Sequence, residues 1–146
     1  MHSVTRSITL PAPAAEVWQL VGDFSAIARW MPGIDRLTVR GPANEPGTER
    51  VAHSGGTDFL ERLVSVDDTS RTMVYTIPAP PFPVSGHRAT LTATANDLTG
   101  CTVTWAATFD ADPAVVADVD KAMGDGAFQS GLDSLAKLFA GGGDVA

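Results

Sequence analysis

Residues 87–139 read HRATLTATANDLTGCTVTWAATFDADPAVVADVDKAMGDGAFQSGLDSLAKLF, and their pattern sets the architecture. In 101–109, Val103, Trp105, Ala107 and Phe109 share one parity. Thr102, Thr104 and Thr108 share the other, which is the period of a half-buried strand. In 87–95, His87, Ala89, Leu91, Ala93 and Ala95 alternate with Arg88, Thr90, Thr92 and Thr94, and Asn96–Gly100 is turn chemistry between the two strands. Asp112-Pro113 then combines an N-cap with a first-turn proline. Beyond it Val116, Val119, Met123, Phe128, Leu132, Leu135 and Leu138 or Phe139 recur at helical spacing. Gly124, Gly126 and Gly131 each weaken that helix by ~1 kcal/mol relative to alanine. They read as a bend or as close packing onto a sheet.

Outward from this hairpin and helix, the remaining segments supply the rest of a sheet. Ser3–Leu10 alternates as a strand, with Arg6 interrupting its apolar face. Pro11 and Pro13 end it and prepare a helix over 14–22, and Asp23 and Ser25 can each cap a second short helix, Ala26–Trp30. Strands follow at 34–40, 48–53, 57–66 and 72–77, with short turns such as Ser54-Gly55-Gly56 between them. PAPPFPVSG, 78–86, is too rich in proline to lie in a central strand. The predicted order is β-α-α-β6-α: a seven-stranded curved antiparallel sheet wrapped around one long C-terminal helix, an α+β arrangement that leaves an interior space.

The chain has 146 residues, 44% hydrophobic and 18% charged, as expected of one folded domain spanning 1–146, with a core at about 3–139 and a frayed tail over 140–146. The formal charge of −7, with no basic patch, argues against nucleic acid as a partner. The single cysteine, Cys101, excludes an internal disulfide. No apolar run reaches the ~18–20 residues of a membrane span, and the N-terminus has no apolar stretch typical of a secretory signal. A cytoplasmic location is therefore expected. P-loop, G-x-G-x-x-G and G-x-S-x-G motifs are absent.

Several stretches together resemble the START-like, helix-grip superfamily (SRPBCC), in its polyketide cyclase/dehydrase branch. They are SITLPAPAAEVWQLVGDFSAIARWMPGI (7–34), FLERLVSVDD (59–68), TIPAPPFPVSGHRATLTA (76–93), CTVTWAATFDAD (101–112) and FQSGLDSLAKLF (128–139). One departure is His87, where similar sequences usually carry an aromatic residue, often Tyr. The resemblance implies a deep apolar cavity between sheet and helix. Members bind or transport hydrophobic small molecules, some cyclise and aromatise polyketides, and others act as ligand sensors. The fold hosts many functions, so activity has to be argued from the site.

Strand parity names the candidates. His87 lies on the apolar parity of its strand and titrates near neutral pH, so it can move a proton in an enolisation or aldol step, or serve as a hydrogen-bonded wall. Glu61 shares a face with Phe59 and Leu63. Buried, it would act as acid or base; otherwise it is a structural ion pair, with Arg6 or Arg62 as partner. Tyr75 shares a face with Met73 and Ile77 and offers a phenol to a ligand carbonyl. His87, Glu61 and Tyr75 are the catalytic candidates. Val51 and His53 share parity with Glu49; His53, beside the Gly-Gly turn, is a candidate ligand contact or else an exposed hairpin residue. Trp30 and Met31 sit at the expected cavity mouth, Phe82 in a loop that can lid it, and Phe59, Ala89, Leu91, Trp105, Met123 and Phe128 on the expected inner walls. Small residues such as Ala89 on an inward face leave volume unfilled. His53, Glu61 and His87 lack the spacing of a metal site, so neither metal nor cofactor is expected.

Three functions follow as expectations. One is a polyketide cyclase/dehydrase that works by positioning and acid–base assistance. Another is a non-catalytic carrier or sensor of a lipid-like or aromatic ligand. A protein-interaction module of the same fold is a third. The partner is a hydrophobic small molecule in the first two, and the oligomeric state is open.

Overall fold

The computed structural model describes residues 1–97 and 99–140; the expected frayed tail falls almost wholly outside them. Seven strands form one curved antiparallel sheet in the order β1-β7-β6-β5-β4-β3-β2. They are β1 (His2–Leu10), β2 (Arg36–Arg40), β3 (Glu49–Ser54), β4 (Thr57–Asp67), β5 (Thr72–Thr76), β6 (Ser85–Ala95) and β7 (Cys101–Asp110). Strands β2 to β7 follow one another as a meander. β1 and β2, adjacent in sequence, occupy opposite edges, so the chain between them must cross the sheet. Helix α1 (Ala14–Val21) and a 3₁₀ helix (Phe24–Arg29) make that crossing. This is the helix-grip α+β fold expected from the sequence.

Local chemistry explains the crossing. Pro13 stands in extended backbone just ahead of α1 and cannot continue a strand ladder. The Asp23 carboxylate accepts the Ser25 backbone N–H at 3.0 Å, capping the 3₁₀ helix. Asn44 accepts from the Phe24 N–H and donates to the Gly22 carbonyl, each at 3.0 Å, locking the α1–3₁₀ corner. Trp18 Nε1 donates to Asp68 at 2.9 Å and ties α1 to the β4–β5 turn.

The sheet bends where its ladder is interrupted. β4 shifts register against β5 between Leu63 and Ser65, and β6 shifts against β7 between Ser85 and Arg88. Gly86, at φ +60°, sits in the second irregularity and lets β6 begin two residues earlier than the alternation indicates.

The C-terminal helix, residues 116–140, starts later than Asp112-Pro113 suggests. Asp112 caps a turn, accepting the Ala114 N–H at 2.9 Å, and α2 (Val116–Asp120) begins after it. Residues Lys121–Phe128 then widen into π-helical turns before α3 (Gln129–Ala140). Arg6, the charge that breaks the β1 pattern, reaches this segment: its Nη2 lies 3.2 Å from Asp120 and 3.0 Å from Asp125. A Cβ at Gly124 would stand 2.5 Å from that Nη2, so the absent side chain makes the approach possible. Along α3, Leu132 and Leu135 are fully buried against the sheet. Each contributes ~1.5–3 kcal/mol by removal from water.

Candidate functional site

Between the sheet and the first half of the C-terminal helix lies a cavity of about 710 Å³, within the ~300–1,000 Å³ typical of small-molecule sites. Val115, Val119, Ala122, Met123, Ala127 and Phe128 form its helix side. Ala52, Phe59, Ile77 and Trp105 form its sheet side. Met31, Pro32, Ile34 and the proline-rich segment Pro81-Phe82-Pro83 surround the remainder. The walls are therefore mostly apolar. Polar atoms come from Glu61, Tyr75 and His87, with Ser54, Thr57 and Asp118 also on the lining.

Glu61, Tyr75 and His87 project from the consecutive neighbours β4, β5 and β6, and Trp105 continues the row on β7. Trp105 Nε1 donates to the Tyr75 hydroxyl oxygen at 3.0 Å. The Tyr75 proton is thereby left for another acceptor. Burial, and next the nearby Glu61 charge, raise the Tyr75 phenol far above its ordinary value, so it acts as a neutral donor. His87 has the opposite response for the same reason: burial pushes its imidazole down to about 4, so the ring is neutral at pH 7. Its Nδ1 is buried without a hydrogen-bond partner. Phe82 meets the His87 ring edge-on, with centroids 6.5 Å apart. Among the described residues no hydrogen bond joins His87 to Glu61.

Glu61 is an ion-pair partner, but neither Arg6 nor Arg62 is involved. Arg50 Nε donates to Glu61 Oε1 at 2.6 Å. Arg50 Nη1 donates to the Phe24 carbonyl at 2.6 Å, and the guanidinium lies 4.0 Å from the Phe24 ring centroid. Arg50, which holds Glu61 at the cavity wall, is the residue that the strand reading missed, and a signal for it was present. The two-residue turn at Gly55-Gly56 sets the β3–β4 pairing, which places Arg50 directly opposite Glu61.

Arg50 also inverts the expected face of β3. Arg50, Ala52 and Ser54 turn inward, and Glu49, Val51 and His53 take the opposite parity. His53 is thus corrected to a surface residue: Nδ1 bonds Asp58 at 2.6 Å, and Nε2 lies 3.3 Å from Thr38 Oγ1. It cannot join Glu61 and His87 around a ligand.

Met31, Phe59, Phe82, Trp105, Met123 and Phe128 line the cavity, and besides His53 three candidate contacts do not. Trp30 is buried behind the wall, its ring 5.3 Å from that of Trp105 and in close approach to Gly131. Ala89 and Leu91 belong to the packed core instead, because α1 docks against β6 and fills the space their small strand face leaves. Trp105 marks the boundary between the two zones. It stacks on Phe128 with centroids 4.5 Å apart and planes 14° from parallel.

Comparison with known proteins places this geometry. A family model described as polyketide cyclase/dehydrase and lipid transport matches residues 1–140. A protein from Thermobifida fusca solved by solution NMR is 45% identical, with a TM-score of 0.90 over 96% of this chain and 94% of that one. Protein XoxI from Bacillus cereus is 25% identical, with a TM-score of 0.84 over 96% of each chain. A norcoclaurine synthase point mutant from Thalictrum flavum, bound to a transition-state analogue, shares the fold at 16% identity. Its TM-score is 0.78 over 97% of this chain and 96% of that one. No curated protein matches the sequence.

Proposed function

The chain belongs to the polyketide cyclase/dehydrase and lipid transport family, and from that premise we propose that it binds a hydrophobic small molecule of polyketide, lipid or aromatic character in its internal cavity and assists cyclisation of that molecule. The observation that carries the reading is the row Glu61–Tyr75–His87 inside an otherwise apolar space of about 710 Å³. A structural core has no use for three polar side chains on the wall of a void, whereas a ligand site needs a few to fix orientation.

Most of the catalysis in this reading is positioning: the walls fold a poly-β-ketone so that reacting carbons meet. His87, neutral at pH 7 but weakened as a base by its burial, accepts a proton from a carbon flanked by two carbonyls, a transfer that depends on the simultaneous donation from Tyr75. Tyr75 donates its O–H to the carbonyl oxygen on which negative charge then develops. The donation from Trp105 into the Tyr75 oxygen strengthens that donor. The enolate carbon forms a bond to a second carbonyl carbon, and His87 returns its proton to the resulting alkoxide. Glu61, held by Arg50, supplies a fixed acceptor at the β4 end of this row.

The carrier or sensor reading has its own support. Among the described residues no carboxylate hydrogen-bonds His87 to orient it, as a general base would normally require. Native mass spectrometry of the purified protein, with extraction of any retained molecule, tests the shared part. A bound aromatic or acyl compound is expected. An empty protein that also fails to bind a hydrophobic fluorophore would sink both readings. His87→Ala and Tyr75→Phe then separate them: a cyclase loses rate or changes its products, by about 10²-fold or more for a lost acid–base group, whereas a carrier keeps its function.

A further inference from the structure

The cavity lining offers acceptors and no free cation, and this bears on which ligands can enter if the cavity reading holds. Glu61 lines the space with its side chain 13% exposed. Its Oε1 is taken by Arg50, and among the described residues no hydrogen bond reaches Oε2. Arg50, at 3% exposure, stands behind the lining, with its Nη1 engaged on the Phe24 carbonyl. Asp118, a solvent-exposed residue, adds a second carboxylate at the rim on the helix side. Neither lysine nor arginine contributes to the lining among the described residues.

Physical chemistry turns this into a filter. A carboxylate entering the space would lose its hydration, find no free cation, since Arg50 is already engaged by Glu61, and pass the exposed Asp118 charge at the rim. A neutral hydroxyl would instead find Glu61 Oε2, a charged acceptor in a low-dielectric wall, where hydrogen bonds are strongest. Tyr75 faces the same space with its proton free for a carbonyl. The aromatic wall of Phe59, Phe82, Trp105 and Phe128 suits a flat ring better than a flexible chain.

We propose that the cavity selects uncharged ring ligands bearing a hydroxyl, phenols or enols that donate to Glu61 Oε2, and that it rejects carboxylates such as free fatty acids.

Three probes of one shape test this. Naphthalene, 2-naphthol and 2-naphthoate are titrated into the full chain by calorimetry at pH 7. 2-Naphthol is expected to bind at least about tenfold more tightly than either of the others, the value of one charge-assisted hydrogen bond. A ratio below that against 2-naphthoate, or against naphthalene, overturns the inference alone. If none of the three binds, the cavity reading itself falls and the inference with it. Glu61→Gln is expected to narrow both ratios. Because that change disturbs the Arg50 pair, Asp118→Asn is the second variant. It leaves the pair intact and should raise 2-naphthoate affinity about two- to fivefold; no rise counts against the charge filter.

Discussion

The two halves of the C-terminal helix face the same sheet with opposite results. Over α3, Gly131, Leu132 and Leu135 are buried and helix and sheet meet in close packing. Over α2 and the π-helical turns, Val119, Ala122, Met123 and Phe128 face a void of about 710 Å³. Hydrophobicity does not separate the halves, since both are apolar toward the sheet. The separation comes from what stands opposite. α3 meets small or closely fitted partners, while the first half meets a sheet face that carries Glu61, Tyr75 and His87. The π-helical widening and its tether to Arg6 hold that half in place. A hollow in this fold is thus built by polar side chains on the strands and an irregular helix above them, with the packed half supplying stability.

The largest test of this contrast is Arg50→Met. It leaves Glu61 charged at the cavity wall without its partner, and urea unfolding should show a loss of about 3–5 kcal/mol. Replacing both residues by Met should recover most of that loss, because no unpaired charge remains. A single variant as stable as the wild type would mean that the pair does not hold the hollow half together.

Next in size is a matched pair of truncations. Leu132→Ala in the packed half should cost about 3–5 kcal/mol, and Met123→Ala at the cavity wall about 2 kcal/mol or less. Only the second should change the affinity for a hydrophobic fluorophore. Equal stability losses would erase the distinction between the halves.

Acid should weaken the hollow half selectively. The folded-state His87 value of about 4 lies below its ordinary 6.5, so between these pH values the unfolded chain binds more protons. Stability is therefore fully present above about pH 6.5 and falls as the pH drops toward 4, by about 3 kcal/mol in total. His87→Phe should flatten this part of the curve, read from urea midpoints at pH 7 and 4.5.

The smallest effect contrasts two glycines. A Cβ at Gly131 would stand 2.8 Å from Met31 Sδ and 2.9 Å from Trp105 Cζ3, so Gly131→Ala should destabilise by about 1–3 kcal/mol. At Gly126 the nearest atom is the Lys121 carbonyl at 3.7 Å. Gly126→Ala should be neutral or stabilising by up to about 1 kcal/mol, measured as a shift in Tm.

Much of this was legible in the residues. Alternation identified most of the strands because all but β2 have one face in the core, and a one-residue slip would expose that whole face. Helical periodicity identified the long helix despite three glycines, since its apolar stripe is long enough to outweigh them. Tyr75 and His87 were read as inward-facing from parity alone, and both line the cavity. The reading failed on β3, where a charged residue occupies the inner face. Arg50 looks like a solvent residue until its partners Glu61, the Phe24 carbonyl and the Phe24 ring are brought around it by the 3₁₀ crossing. Ala89 and Leu91 failed for a related reason: parity says which way a side chain points but not what stands opposite.

Local sequence thus determined the elements, their order and the sheet faces other than that of β3, because these depend on turn chemistry and on periods of 2 and 3.6 residues within single segments. Tertiary structure decided which part of the interior is filled and which is hollow. That outcome depends on contacts between distant segments: α1 against β6, Arg6 against the π-helical turns, and Arg50 against Phe24 of the 3₁₀ crossing.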